Sequence, residues 1–156
     1  VNSKQFKASM GCLPTGITIV STSYDGQLLG FTANSFTSVS LSPPLILFCL
    51  NKNAGSIAAF QSSNVFAISI LAANQAELSK HFSTSQPNKF SSVNHQIGKI
   101  TNCPLIIDAV CWVECKKYQE YEGGDHLIFV GEVLNTTINN DQQPLVYFSK
   151  NYRELK

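Results

Sequence analysis

Charge is the first thing this sequence has little of. Asp, Glu, Lys and Arg make up 13% of its 156 residues, against about 25% in an average soluble domain. The signs nearly cancel, with 11 basic and 10 acidic residues and a net charge of +1. Without a basic surplus the chain has no means of gripping a phosphate backbone, so nucleic acid is excluded as its partner. A polybasic membrane anchor is excluded on the same ground. Long apolar runs are missing too. The longest, Pro43 to Leu50 (PPLILFCL), falls far short of the roughly 20 residues of a spanning helix, so no membrane partner is expected. The opening VNSKQFKASMG has no apolar h-region, and no secretory signal is expected there. The chain begins at Val1 and its single Met is Met10, as expected of a trimmed start or a piece of a longer protein. The five cysteines, Cys12, Cys49, Cys103, Cys111 and Cys115, are odd in number and irregularly spaced, which makes a poor disulfide framework. They are expected to be reduced, in a cytoplasmic compartment. His81, His95 and His126 stand singly, so no metal site is expected.

What is present is core. Hydrophobic residues reach 44%, enough for one packed domain over residues 1–156 without staples. Phe6, Met10 and Leu13 recur at helical spacing behind Ser3 as N-cap, and Gly11 and Pro14 end that helix. Gly16 to Ser23 alternates and is β-branched, hence a strand. Asp25-Gly26 signals a hairpin, with the return strand from Gln27. Phe31 to Leu41 is β-prone and hydroxyl-rich until Pro43-Pro44 break it. Leu45 to Leu50 is apolar on both faces and reads as a fully buried strand. A short helix is expected at Ala54–Phe60, capped by Asn51 or Asn53, and a strand at Val65–Leu71. Asn74–Phe82 reads as a helix capped by Asn74. Ser83 to Thr101 is polar and weakly patterned, a loop with room for a short helix. Strands follow at Pro104–Ile107, Ala109–Tyr121, His126–Asn135 and Leu145–Phe148, with Gly131 marking a bulge or close approach and the rest a tail. Cys111, Val113 and Cys115 share one strand face. The sum is mainly β with short helices, an antiparallel barrel or sandwich. Neither GxGxxG nor GxxxxGK[ST] occurs.

Three constellations carry chemistry. In a continuous strand, Thr32, Asn34, Ser38 and Ser40 would line one face with Phe36 among them. Such a face can hydrogen-bond a flat heteroaromatic ring, and it is equally the make-up of an ordinary exposed strand. Asn51-Lys52-Asn53-Ala54-Gly55-Ser56 would open a helix, where free backbone N–H groups, a hydroxyl and a Lys suit a phosphate. A plain capped helix reads the same way. His126, behind Gly123-Gly124-Asp125, can donate to a bound ligand, or it is a spare surface His. No nucleophile–base pair and no carboxylate pair stands out. So little ionisable machinery fits an enzyme whose cofactor carries the chemistry.

Gly30 to Ser56 (GFTANSFTSVSLSPPLILFCLNKNAGS) resembles the signature stretch of the flavin reductase family of FMN-binding split barrels. These are the reductase components of two-component flavin monooxygenases, such as the 4-hydroxyphenylacetate hydroxylase reductase. The likeness extends over Ala8–Thr22, Phe66–Phe82, Gly124–His126, Gly131–Val133 and Pro144–Leu155. It implies a closed antiparallel Greek-key barrel, a homodimer, and a flavin groove near the dimer interface. By position, Thr32, Ala33, Asn34 and Ser35 would contact the isoalloxazine and ribityl chain. Ser38, Ser40, Cys49 and Leu50 would line the same groove. Asn51, Lys52 and Ser56 would hold the phosphate, and His126 would border the nicotinamide. Tyr152 and Arg153 would be rim contacts.

The activity implied is NAD(P)H:flavin oxidoreduction, a hydride passing from the nicotinamide to FMN or FAD, with NADH or NADPH as co-substrate. Thr32, Asn34 and His126 act as positioning groups and no side chain serves as acid or base. A flavin-dependent monooxygenase would take the product. A flavin-binding electron carrier, or the FMN domain of a larger multi-flavin protein, is the other reading.

Overall fold

The computed structural model describes residues 1–155. The chain opens with α1 (Ser3–Met10). Its N-cap is Asn2, one residue before the expected Ser3. The Asn2 side chain accepts from the Gln5 N–H at 2.9 Å, and Gln5 reaches back to close a capping box. The helix buries none of its residues.

Next come β1 (Thr15–Gly16), β2 (Thr18–Tyr24) and β3 (Gln27–Ala33). Asp25 and Gly26 take positive φ, 50° and 72°, as a two-residue hairpin turn requires. β4 (Thr37–Leu41) and β5 (Pro44–Asn51) form the next hairpin. Then follow α2 (Ile57–Ser62), β6 (Val65–Ile70), a 3-10 turn (Ala73–Gln75) and α3 (Ala76–Ser83). Asn74 does not cap α3: it lies inside the 3-10 turn, and the α3 N-cap position falls to Gln75, which makes no side-chain bond into that helix and instead accepts from Ala72 N–H at 2.9 Å. Beyond a second 3-10 turn (Lys89–Ser92) lie β7 (His95–Ile97) and β8 (Pro104–Ile106). β9 (Cys111–Gly123) and β10 (His126–Ile138) form a long ribbon. The expected last strand is β11 (Val146–Phe148), and the stretch expected as a tail adds a strand, β12 (Asn151–Arg153), in a hairpin turned at Ser149 and Lys150 with positive φ.

Seven strands form one antiparallel sheet in the order β3-β2-β6-β9-β10-β5-β4. The fold is mainly β with short helices. The ladder ends at β3 and β4, which are joined in sequence through Asn34–Phe36 but not hydrogen-bonded to each other. Ser35 in that connection reaches β5 instead. Its hydroxyl accepts from Cys49 N–H at 3.0 Å and donates to Cys49 O at 3.3 Å.

Inside the sheet Phe48, Phe60, Phe66 and Phe129 are essentially buried, with Phe31 packed against them. Phe48 stacks on Phe129 at 5.1 Å and meets Phe66 edge-on at 5.0 Å. Each such burial is worth about 1.5–3 kcal/mol. The expectation that β5 is buried on both faces fails. Ile46, Phe48 and Leu50 point to the core, while Leu45, Leu47 and Cys49 stay half-exposed. Cys115 and Val113 are buried with Cys111 against the same cluster, as the shared face requires. Gly131 marks a shift in the β9–β10 register, and a Cβ there would lie 2.2 Å from a Phe66 ring carbon. It is a bulge and a close approach at once.

Candidate active site

A cleft of ≈ 720 Å³ opens beside β3, within the roughly 300–1,000 Å³ of small-ligand pockets. Its walls are β3, the end of β5, the bend before α2, the segment 82–89 and His126. β5 and β10 place two of these together, since His126 pairs with Asn51 at the start of β10. The 123–125 turn is tied to the same bend by Lys52 N–H donating to Asp125 O at 3.0 Å. Phe31, Ala33 and Leu50 give the cleft an apolar floor, and hydroxyl and amide side chains rim it. Among the described residues no Asp or Glu lines it, and Lys89 is its one Lys or Arg.

Thr32, Ala33, Asn34, Ser35, Cys49, Leu50, Asn51, Ser56 and His126 all line the cleft. The Thr32 hydroxyl donates to Ser79 O on α3 at 2.6 Å, so its proton is committed to the scaffold. Asn34 is exposed to the cleft with no side-chain bond among the described residues. The Cys49 thiol is pushed up by burial, which the Ser35 hydrogen bond offsets only in part. It stays a neutral group. Ser56 stands at the N-cap of α2 without a side-chain capping bond and lines the cleft. His126 Nδ1–H donates to Asp125 Oδ1 at 2.7 Å, which leaves Nε2 without a hydrogen-bond partner among the described residues. That bond, with the charge of His126, holds the Asp125 carboxyl below the usual range.

Five expected site residues lie elsewhere. Ser38 and Ser40 sit on β4, opposite Ile46 and Leu45, away from the cleft. The strand breaks at Asn34–Phe36, so the alternation from Thr32 does not carry through, and a register shift between Ser38 and Ser40 disturbs it again. Lys52 turns from the cleft to pair with Glu122 on β9. Tyr152 stands behind it, its hydroxyl donating to Ser79 Oγ at 2.8 Å. Ser79 therefore links Tyr152 to Thr32. Arg153 is exposed and does not line the cleft.

Sequence reasoning missed the wall from Ser83 to Lys89. Thr84 Oγ1 donates to His81 O at 2.8 Å. His81 Nε2–H donates to Lys89 O at 2.8 Å, while its Nδ1 takes the Gln86 amide at 3.0 Å. Lys89 Nζ donates to Phe82 O at 2.9 Å and Gly30 O at 3.3 Å. The only sequence signal was a Lys behind Pro87-Asn88, with Asn88 left-handed at φ 52°.

The comparisons agree with this architecture. Residues 10–156 match the family of the flavin reductase like domain, and the chain belongs to that family. It is 42% identical over 137 residues to the NADH-dependent FAD reductase of Streptomyces globisporus, covering 85% of this chain and 75% of that protein. It is 30% identical to the reductase subunit HsaB of a flavin-dependent monooxygenase of Rhodococcus jostii, covering all of this chain and 80% of that one. The solved structure of the Streptomyces globisporus NADH:FAD oxidoreductase SgcE6, in complex with NAD and FAD fragments, superposes with a TM-score of 0.96. Identity there is 37%, over 99% of this chain and 93% of that one. Longer relatives occur as well, and the chain spans 42% of one from Rhizobium meliloti.

Proposed function

We propose that the chain is an NAD(P)H:flavin oxidoreductase that supplies reduced flavin to a partner monooxygenase. The observation that carries this reading is the cleft, which among the described residues combines an apolar floor, a hydroxyl and amide rim, one Lys and no carboxylate, on a chain of the flavin reductase family. That donor set fits FMN or FAD, with NADH or NADPH as co-substrate. The flavin, when bound, supplies the hydride-accepting ring. The chain's own residues bind and orient. Phe31, Ala33 and Leu50 exclude water from the ring's face. Asn34, the Ser35 connection and Cys49 border its polar edge. Asn51 and Ser56 border the phosphate end. Thr32 acts through the Ser79–Tyr152 chain, which fixes β3 against α3. His126, oriented by Asp125, presents Nε2 to the nicotinamide. A preorganised, water-poor site of this kind needs no side-chain acid or base, since positioning supplies the rate.

The chain acts as one domain over 1–156, with the sheet working as a closed split barrel in which Ser35 bridges the gap to β5. A homodimer in the cytoplasm completes the reading. Apolar surface at the β4–β5 edge supports the dimer, with Leu41 96% and Val39 50% exposed. No helix of the described residues is long and apolar enough to cross a membrane.

NADH oxidation with FMN in excess over protein tests the activity. Many turnovers per protein are expected. A single equivalent would favour the electron-carrier reading, in which this domain serves a larger chain, as the longer relatives suggest.

A further inference from the structure

We propose that His81 is a positioning residue, a latch that holds the segment Thr84–Asn88 as a wall of the cleft and so sets how fast a flavin nucleotide leaves it. This rests on the flavin reductase reading of the same cleft. Thr84 to Asn88 are exposed and belong to no helix or strand, yet they line the cleft. The two ends of the segment are held together, since the buried rings of Phe82 and Phe90 lie 4.8 Å apart. Asn88 turns the chain back in the left-handed region, at φ 52°. A loop closed at its ends and free along its length is a strap, with little local stability of its own. Across residues 85–87 the one hydrogen bond among the described residues runs from the Gln86 amide to His81 Nδ1, at 3.0 Å.

His81 meets the strap at its entry, middle and exit. Its carbonyl accepts from the Thr84 hydroxyl at 2.8 Å, Nδ1 accepts from Gln86, and Nε2–H donates to Lys89 O at 2.8 Å. A carbonyl can only accept, so Nε2 carries the proton and Nδ1 is left as the acceptor that the Gln86 amide needs. The ring is set edge-on to Phe82 at 5.2 Å. Its helix is fixed in turn, because Thr32 on β3 donates to Ser79 O on the same turn of α3. His81 itself does not line the cleft. Whatever it does to a bound nucleotide, it does through the strap.

Stopped-flow fluorescence of FMN binding reads the dissociation rate, and anaerobic single-turnover reduction by NADH at saturating FMN reads hydride transfer. His81→Phe keeps an aromatic ring against Phe82 and removes both ring ties. The FMN dissociation rate is expected to rise about tenfold, and KM for FMN with it. Hydride transfer should stay within about twofold, and kcat should not fall. Gln86→Ala breaks the middle tie from its other side. The double variant should release FMN as fast as His81→Phe alone, because one bond can be lost only once. His81→Gln leaves an amide donor in reach of Lys89 O, so it should raise the rate by less, and it serves if the Phe variant does not fold. A dissociation rate unchanged in the His81 variants would overturn the proposal. Effects of His81→Phe and Gln86→Ala that multiply would overturn it too, since the two residues would then act separately. So would hydride transfer that falls in step with affinity, which would make His81 a packing residue of α3. Wild-type protein that bound no FMN would sink the flavin reading itself, an outcome visible before any variant is made.

Discussion

Glu114 and Lys89 are both charges drawn out of water, and they are satisfied in opposite ways. Glu114, on β9, is 3% exposed. Its Oε1 accepts from Ile100 N–H at 3.0 Å, Thr101 N–H at 2.9 Å and the Thr101 hydroxyl at 2.9 Å. Its Oε2 accepts from the Asn135 amide at 3.0 Å. Burial alone would push this carboxyl up, but the four donors outweigh it and hold the group below its ordinary range. Nothing is left over for a ligand. Gly98 presses so close that a Cβ there would lie 2.3 Å from Oε1. Lys89 spends two bonds on carbonyls and keeps its charge facing a cleft. A saturated buried charge builds structure, whereas a half-satisfied one at a cavity wall is available for function.

That contrast breaks first at Glu114. Glu114→Ala strands the Ile100, Thr101 and Asn135 donors and should cost about 3 kcal/mol in denaturant unfolding, with flavin affinity of the folded fraction unchanged. A folded carboxyl held low stabilises above the unfolded value of about 4.3 and loses that stabilisation as pH falls through the lower folded value. The wild type should therefore weaken in acid below about pH 4. Glu114→Gln, measured across the same range, should lack that step.

The scaffold side is sharpened next by Gly131→Ala. The added methyl meets the Phe66 ring and Cys115 Cβ, so a loss of about 2 kcal/mol is expected in the same assay. Little or no loss would mean that the β9–β10 ribbon yields where it is drawn as tight.

On the cleft side, His126→Ala should raise KM for NADH several-fold while flavin affinity moves less than twofold, read by steady-state kinetics and flavin titration. Equal losses would place His126 at the flavin instead. The smallest effect belongs to Lys52→Gln. The pair with Glu122 is exposed, so thermal unfolding should register no more than about 0.5 kcal/mol, and flavin affinity should hold.

Most of the cleft could be read from the chain because it is built locally. Thr32 to Ser35 and Cys49 to Ser56 lie on adjoining segments whose residue types and order carried the resemblance, and β3 and β5 bring them together. The strands were legible from alternation and the hairpins from Asp25-Gly26 and Gly124-Asp125. What failed was set by distance or by interruption. Lys52 is claimed by Glu122, 70 residues away, which no local pattern reveals. Ser38 and Ser40 were placed by carrying an alternation across Asn34–Phe36, where the strand stops. Tyr152 reaches Ser79 over 73 residues, behind the wall it was expected to rim. The wall 83–89 has no periodicity, because its order comes from His81, Lys89 and the end of α3 rather than from its own repeat. Ser3 lost the cap to Asn2 by one position, since the Gln5 side chain completes a box only with Asn2.

The central claim is that this cleft holds a flavin for reduction by a nicotinamide nucleotide. Anaerobic mixing of the protein with excess FMN and NADH, followed at the flavin and nicotinamide absorbance bands, tests it most directly. The account predicts that both bands decay together over many turnovers per protein. Bands that stay unchanged, with no flavin bound, would contradict it.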